Sequence, residues 1–228
     1  MIQDLKKFSQ NVFKKLFQII FKLLYGRIIY VSDNLLSNNI LINDIKNPNI
    51  KTFNDKTYRI YNIKNGRIYS DNVENVAIID ENKIIDNISF QQIQGNLVSA
   101  NKNICLQKGT PRIKNRFKGR VLSLAQGASG ISNYYHWLFD LLPKIKLYSE
   151  IYNFNELDYL YAGNLQNFQA ETLVPLGLDK IKVLDIANNR HIEADEIICT
   201  DHPNYYEVFI ENKSKDIPAW TVKWLKYT

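Results

Sequence analysis

Along residues 2–25 the apolar positions Leu5, Phe8, Val12, Leu16, Ile19, Ile20 and Leu23 recur at helical spacing, with Lys6, Lys7, Lys14 and Lys15 set between them. This pattern predicts an amphipathic helix that stops at Gly26. From 57 to 100 the rhythm shortens to alternation. "TYRIYNIKNGRIYS" reads as two strands around Asn65-Gly66, a hairpin signal, and "VENVAIIDENKIID" as a second pair around "DEN". Together they predict a small antiparallel sheet. Residues 101–117 read as a linker that turns at Gly109-Thr110-Pro111.

After Gly119 the pattern changes again. Short apolar runs at 120–125, 157–163, 181–186 and 194–200 are predicted strands. Helical stretches follow Ser132, span 166–178 and close the chain at 217–227, where Pro218 sits at the first turn. Strands alternating with helices predict parallel βαβ units. The expected organisation is α/β: a basic amphipathic helix (1–26), a β-rich region (27–117) and a Rossmann-like parallel sheet (118–228). In such sheets ligands bind beyond the carboxyl ends of strands. The loop at 126–132 leaves the first strand at that edge. Its Gly127 and Gly130 match neither the dinucleotide nor the P-loop spacing, so they read as supplying a tight turn.

The net charge of +6 alters this picture only at one end. Residues 1–27 hold Lys6, Lys7, Lys14, Lys15, Lys22 and Arg27 against Asp4, a net of +5, and the rest is nearly neutral. The body has no basic stripe interleaved with aromatics, so nucleic acid is not the expected partner. No charge-free run in the N-terminal segment, 16–21 included, approaches the roughly 20 residues of a membrane span. Lys22 breaks any signal-peptide core. Two readings stand: a helix lying on an anionic membrane surface, or an amphipathic helix packed on its own domain. Cys105 and Cys199 lack metal-ligand spacing and read as reduced, buried thiols of a cytosolic protein. The run Cys199, Asp201, His202 is a weak metal signal with no distant partner set.

The chemistry concentrates in "SNYYHWLFDLLPKIKLY", residues 132–148. At about 100° per residue, Asn133, His136, Asp140 and Lys144 share one narrow stripe of an otherwise apolar helix. His136 and Asp140 are i, i+4 neighbours, so their side chains meet. A carboxylate raises the basicity of an imidazole and selects its tautomer, which suits removal of a proton from an alcohol. Pro143 lacks an N–H and frees the carbonyl of Phe139, bending the helix. The bland reading makes Asn133, or Ser132, an N-cap and His136–Asp140 a satisfied buried pair.

"NYYHWLFDLLPKI" closely resembles the signature of glycosyltransferase family 61, an Asn-x-x-His-x-x-x-Asp core followed by Leu-Pro. The flanking "KGRVLSLAQGASGISNYYHWLFDLLPKIKLYSE", "LDYLYAGNLQNFQAETLVPLGLDKIKVLD" and "EADEIICTDHP" are similar to the family's adjoining segments, so the resemblance covers about residues 57–227. It implies the first half of a GT-B-like fold and an inverting transfer of a sugar from a nucleotide-sugar donor to a glycan or lipid-linked acceptor. It also implies a place in capsular or other cell-surface polysaccharide synthesis. His136 and Asp140 would then be catalytic, Asn133 and Lys144 substrate-binding, and no metal or other cofactor is expected. Donor-binding residues are expected in a second half following 217–227. The 228-residue chain alone is therefore expected to be inactive, with Trp220, Trp224 and Leu225 forming an exposed patch. The expected location is cytoplasmic, peripheral on the inner face of the cytoplasmic membrane. Two further readings stand beside this one: a non-catalytic module that binds glycan or assembles with a partner, and a scaffold whose polar pair is purely structural.

Overall fold

The structure is a computed structural model and describes residues 2–31, 37–51, 57–71, 75–93, 96–126, 132–204 and 217–228. Helix α1 (Ile2–Tyr25) ends at Gly26 as the pattern predicts. The strands of the first half are β1 (Ile29–Val31), β2 (Ile40–Asp44), β3 (Arg59–Lys64), β4 (Arg67–Ser70), β5 (Val76–Asp80), β6 (Lys83–Ile85), β7 (Gln91–Ile93) and β8 (Asn96–Val98). A short helix, α2 (Cys105–Lys108), leads into β9 (Asn115–Ser123). Next come α3 (Tyr134–His136), a π-helical turn (Trp137–Leu141) and α4 (Leu142–Ser149), which form one continuous helical segment. Then follow β10 (Tyr159–Ala162), α5 (Asn167–Leu173), β11 (Lys182–Asp185), β12 (His191–Thr200) and α6 (Ala219–Tyr227).

The fold is mixed α/β around one open sheet. Its order is β1-β6-β5-β4-β12-β9-β10-β11, with β3 continuing the β4 edge of β12 and β2 beyond it. β12, β9, β10 and β11 are mutually parallel, as the alternating pattern predicts. The β-rich region is not a separate sheet. β3 and β4 both pair antiparallel with β12, so the two halves of the chain share hydrogen bonds and a core in which Ile60, Ile63 and Ile68 join Val121, Trp137 and Ile197.

The Asn65-Gly66 hairpin is not formed. β3 and β4 lie end to end along β12 in one register, from Ile60 opposite Thr200 to Tyr69 opposite His191. Asn65 has the positive φ of a turn residue (51°), yet its N–H donates to the carbonyl of Asp195. Ten residues of β12 satisfy the backbone on both sides of the kink, and that long-range pairing outweighs the local turn preference. Gly66 permits the close approach: a Cβ there would lie 2.9 Å from Ile63 Cγ2 and 3.0 Å from Ile197 Cβ. The second expected hairpin is present as β5–β6, with Glu81 at φ 52° in its turn.

Residues 101–117 are also more ordered than a linker. They contain α2, which Gly109 terminates at φ 69°, and the start of β9. β9 carries one extra residue against β12, at Lys118-Gly119. The C-terminal helix α6 contradicts the expected exposed patch. Trp220 is buried edge-on against Tyr58 and donates from Nε1 to the Tyr58 hydroxyl at 3.2 Å, while Trp224 and Leu225 pack half-buried on the core. Ile45, Ile50 and Tyr58 supply this cover. Nothing in the periodicity of α6 reveals it.

Candidate functional site

Among the parallel strands, β9 is followed in the chain by its neighbour β10, whereas β12 lies on the other flank of β9. The direction of strand order therefore reverses between β9 and β12, the place where open α/β sheets form a crevice beyond their carboxyl ends. The polar residues of the 132–148 stretch meet there.

Asn133 is extended (φ −87°, ψ 128°) and its Oδ1 accepts from the backbone N–H groups of Tyr135 (2.9 Å) and His136 (3.4 Å). It is thus the N-cap, which starts the helix and fixes where His136 falls. His136 Nδ1 lies 2.5 Å from Asp140 Oδ2. The Asp140 carboxylate is buried, whereas the His136 side chain keeps 21% of its surface exposed. Trp137, fully buried, donates from Nε1 to Thr172 Oγ1 at 2.8 Å and ties this turn to α5.

Pro143 acts as the sequence implies. Lacking an N–H, it leaves the Phe139 carbonyl without its helical donor, and the preceding turn widens to π geometry. The amide of Asn204, just past β12, answers that vacancy. Its Nδ2 donates to Asp140 Oδ1 at 2.5 Å and lies 3.4 Å from the Phe139 carbonyl. Both Asp140 oxygens therefore accept, one from each side. His202 Nδ1 lies 2.9 Å from the Asn204 carbonyl oxygen and 3.2 Å from the Asn204 backbone N, which holds the 202–204 turn in place.

Lys144 is completely buried, and its ammonium donates to the carbonyls of Leu124 (2.8 Å) and Gln126 (2.6 Å). Gln126 Nε2 reaches the Thr200 carbonyl at 3.3 Å, so the exits of β9 and β12 are tied together. Lys144 therefore stands behind the pair as a strut. The loop glycines Gly127 and Gly130 lie outside the described residues.

The electrostatics follow from this packing. The hydrogen bond to Asp140 raises the His136 pKa above its ordinary 6.5, and the Asp140 charge adds to this against the effect of burial. Burial pushes Lys144 down to about 7 against the attraction of Asp140. Burial also pushes His202 down to about 4, and the positive charges of Lys144 and His136 reinforce it while Asp140 opposes. Two buried acceptors, Asn204 Oδ1 and Gln126 Oε1, have no hydrogen-bond partner among the described residues.

Of the expected site residues, the structure brings His136 and Asp140 into contact, sets Lys144 beneath them and makes Asn133 the cap. The three side chains of the weak metal run diverge. Cys199 is buried in β12, Asp201 accepts from the Arg59 backbone and the Tyr61 hydroxyl, and His202 engages Asn204. Among the described residues no cluster of three metal-ligating side chains occurs. Asn204 and Gln126 were not singled out by the sequence reading. The available signal was positional: each follows the carboxyl end of a predicted parallel strand.

Compared with family models, with curated proteins and with solved structures, the chain matches none. The site must be read from its own geometry.

Proposed function

We propose that this chain carries the acceptor-activating part of an inverting glycosyltransferase, resembling family 61, that moves a sugar from a nucleotide-sugar donor to a hydroxyl of a cell-surface polysaccharide precursor. The observation that carries the reading is the 2.5 Å contact between His136 Nδ1 and a buried Asp140, at the carboxyl edge of a parallel sheet. The run of four parallel strands supports a Rossmann-like half of a GT-B-like arrangement.

With Nδ1–H donated to Asp140, the neutral imidazole keeps its lone pair on Nε2. As the acceptor oxygen attacks the anomeric carbon, Nε2 takes its proton. The new carbon–oxygen bond forms as the bond to the nucleoside diphosphate breaks on the opposite face, which inverts the centre. Asp140 stabilises the imidazolium, and Asn204 fixes the carboxylate.

The test is transfer of labelled sugar from nucleotide-sugar donors to glycan acceptors by the full-length protein. His136→Ala lowers kcat by about 10²–10⁴-fold. The base must be unprotonated, so the acidic limb of kcat/KM lies above pH 6.5, as the raised His136 pKa requires. Asp140→Asn removes the cause of that rise, so the limb moves to lower pH while the rate falls. Near-normal turnover in both variants overturns the assignment. Glycan binding by a wild-type protein that transfers nothing favours the non-catalytic module.

A further inference from the structure

We propose that α1 is a docking helix for an anionic bilayer surface, a property independent of the chemistry at His136. Leu5, Phe8, Phe13, Leu16, Ile19 and Leu23 are all exposed, Leu5 at 71% and Leu23 at 82%. With about 100° per residue, the exposed apolar side chains fill one arc of about 180° on the helix. The body holds α1 by its last turns and from the other side. Phe21 is buried, Lys22 Nζ donates to the Gln107 carbonyl at 2.6 Å, and Tyr25 packs edge-on against His191 at 5.0 Å while its hydroxyl accepts from the Lys114 backbone at 3.2 Å. The apolar arc therefore points away from the protein.

Charge decides what covers it. Lys6 and Lys15 flank the arc on its two margins, Lys7 and Lys14 occupy the opposite face, and Asp4 is the one acidic residue of the helix. Lysines with apolar stems beside an apolar face suit a headgroup layer, where the stems lie along the acyl boundary and the ammonium groups meet lipid phosphates. A second copy of α1 is a poor match. Its arc is wider than a two-helix seam, and pairing would bring lysine margins together with almost no carboxylates to neutralise them. No helix among the described residues is long and apolar enough to cross a membrane, so α1 lies in the surface plane.

The experiment is flotation of the full chain with vesicles of phosphatidylcholine alone and of phosphatidylcholine containing one-third phosphatidylglycerol. Binding to the anionic vesicles, weakened by salt and far weaker without phosphatidylglycerol, is the expected result. Lys6→Gln with Lys15→Gln lowers the partition coefficient about 30-fold, the effect of two surface lysines. Both variants sit on an exposed face, and circular dichroism checks that the helix persists. Because Cys105 and Cys199 are buried, a polarity-sensitive dye can be attached selectively to Leu16→Cys or Lys14→Cys. Only the Leu16→Cys dye shifts to the blue on anionic vesicles. Absence of flotation, equal binding to both vesicle types, or equal dye shifts at the two positions overturns the proposal. So does a vesicle-free dimer that shields the Leu16→Cys dye.

Discussion

Lowering the pH from 7 to 5 should remove a large part of this protein's stability, through two histidines that the fold keeps neutral. Burial pushes both His191 and His202 down to about 4. The unfolded chain protonates each near 6.5, so their contribution is present above that pH and is lost as the pH falls toward 4. At pH 7 each lowers stability by about 0.2 kcal/mol, and at pH 5 by about 2 kcal/mol. The loss for the pair is about 3–4 kcal/mol, against a typical total of about 5–15 kcal/mol. Burial dominates at both sites: at His191, edge-on to Tyr25 and Tyr69, Arg67 and Lys114 reinforce it against Glu193 and the Arg112 backbone, and at His202 Lys144 and His136 reinforce it against Asp140 and the Asn204 backbone. His136 works in the opposite sense. Its raised pKa contributes stability that is fully present below 6.5 and is lost as pH rises through the folded value, so acidification trims the net loss. Glu150, Glu156 and Glu193 have lowered pKa values, and their contributions fade only below their ordinary range near 4.5; Lys144, pushed down to about 7, adds a smaller loss of the same sign as the histidines between pH 7 and 5. The assay is urea unfolding followed by tryptophan fluorescence at the two pH values, where the midpoint should fall by roughly 1–2 M. His202→Gln and His191→Gln should each reduce that fall by about half. Equal midpoints at pH 7 and 5, or an undiminished fall in both variants, would refute the reasoning.

Three other substitutions probe the frame around the site. Gly119→Ala places a Cβ 2.1 Å from Asp158 Oδ2 at a φ of 95°, which should cost about 2–3 kcal/mol in urea unfolding, whereas Gly177→Ala, with φ 70° and open space, should cost less. Trp220→Ala empties the contact with Tyr58 and removes the donor to its hydroxyl, so a loss of about 3–5 kcal/mol is expected, measured the same way.

The elements readable in the sequence are those in which one segment's own periodicity decides the outcome: α1, the β5–β6 turn, the short strands β10 and β11, and α6 with Pro218 at its start. The His136–Asp140 contact belongs with them, because two residues four apart on a helix meet whatever surrounds them. The readings that failed concern partners far away in the chain. Asn65-Gly66 reads as a hairpin turn and Asn65 does take a positive φ, yet its N–H bonds to Asp195, 130 positions on, and the expected hairpin is a kink in one long edge. The tryptophan patch of α6 looked unpartnered because Tyr58 lies 162 residues before Trp220.

By itself, then, the sequence determined the alternation of strands and helices, the polar stripe at 133–144, the carbonyl freed by Pro143 and the basic, two-faced character of α1. Tertiary structure alone decided that β12 would join the two halves into one sheet, that Asn204 would take the freed Phe139 carbonyl and brace Asp140, and that Lys144 would be a strut beneath the pair. It also decided that the apolar arc of α1 would face away from the body. The physical reason is range. Helical contacts and turn dihedrals are properties of a few adjacent residues, whereas strand pairing and burial depend on which distant segment best satisfies the backbone and covers the apolar surface.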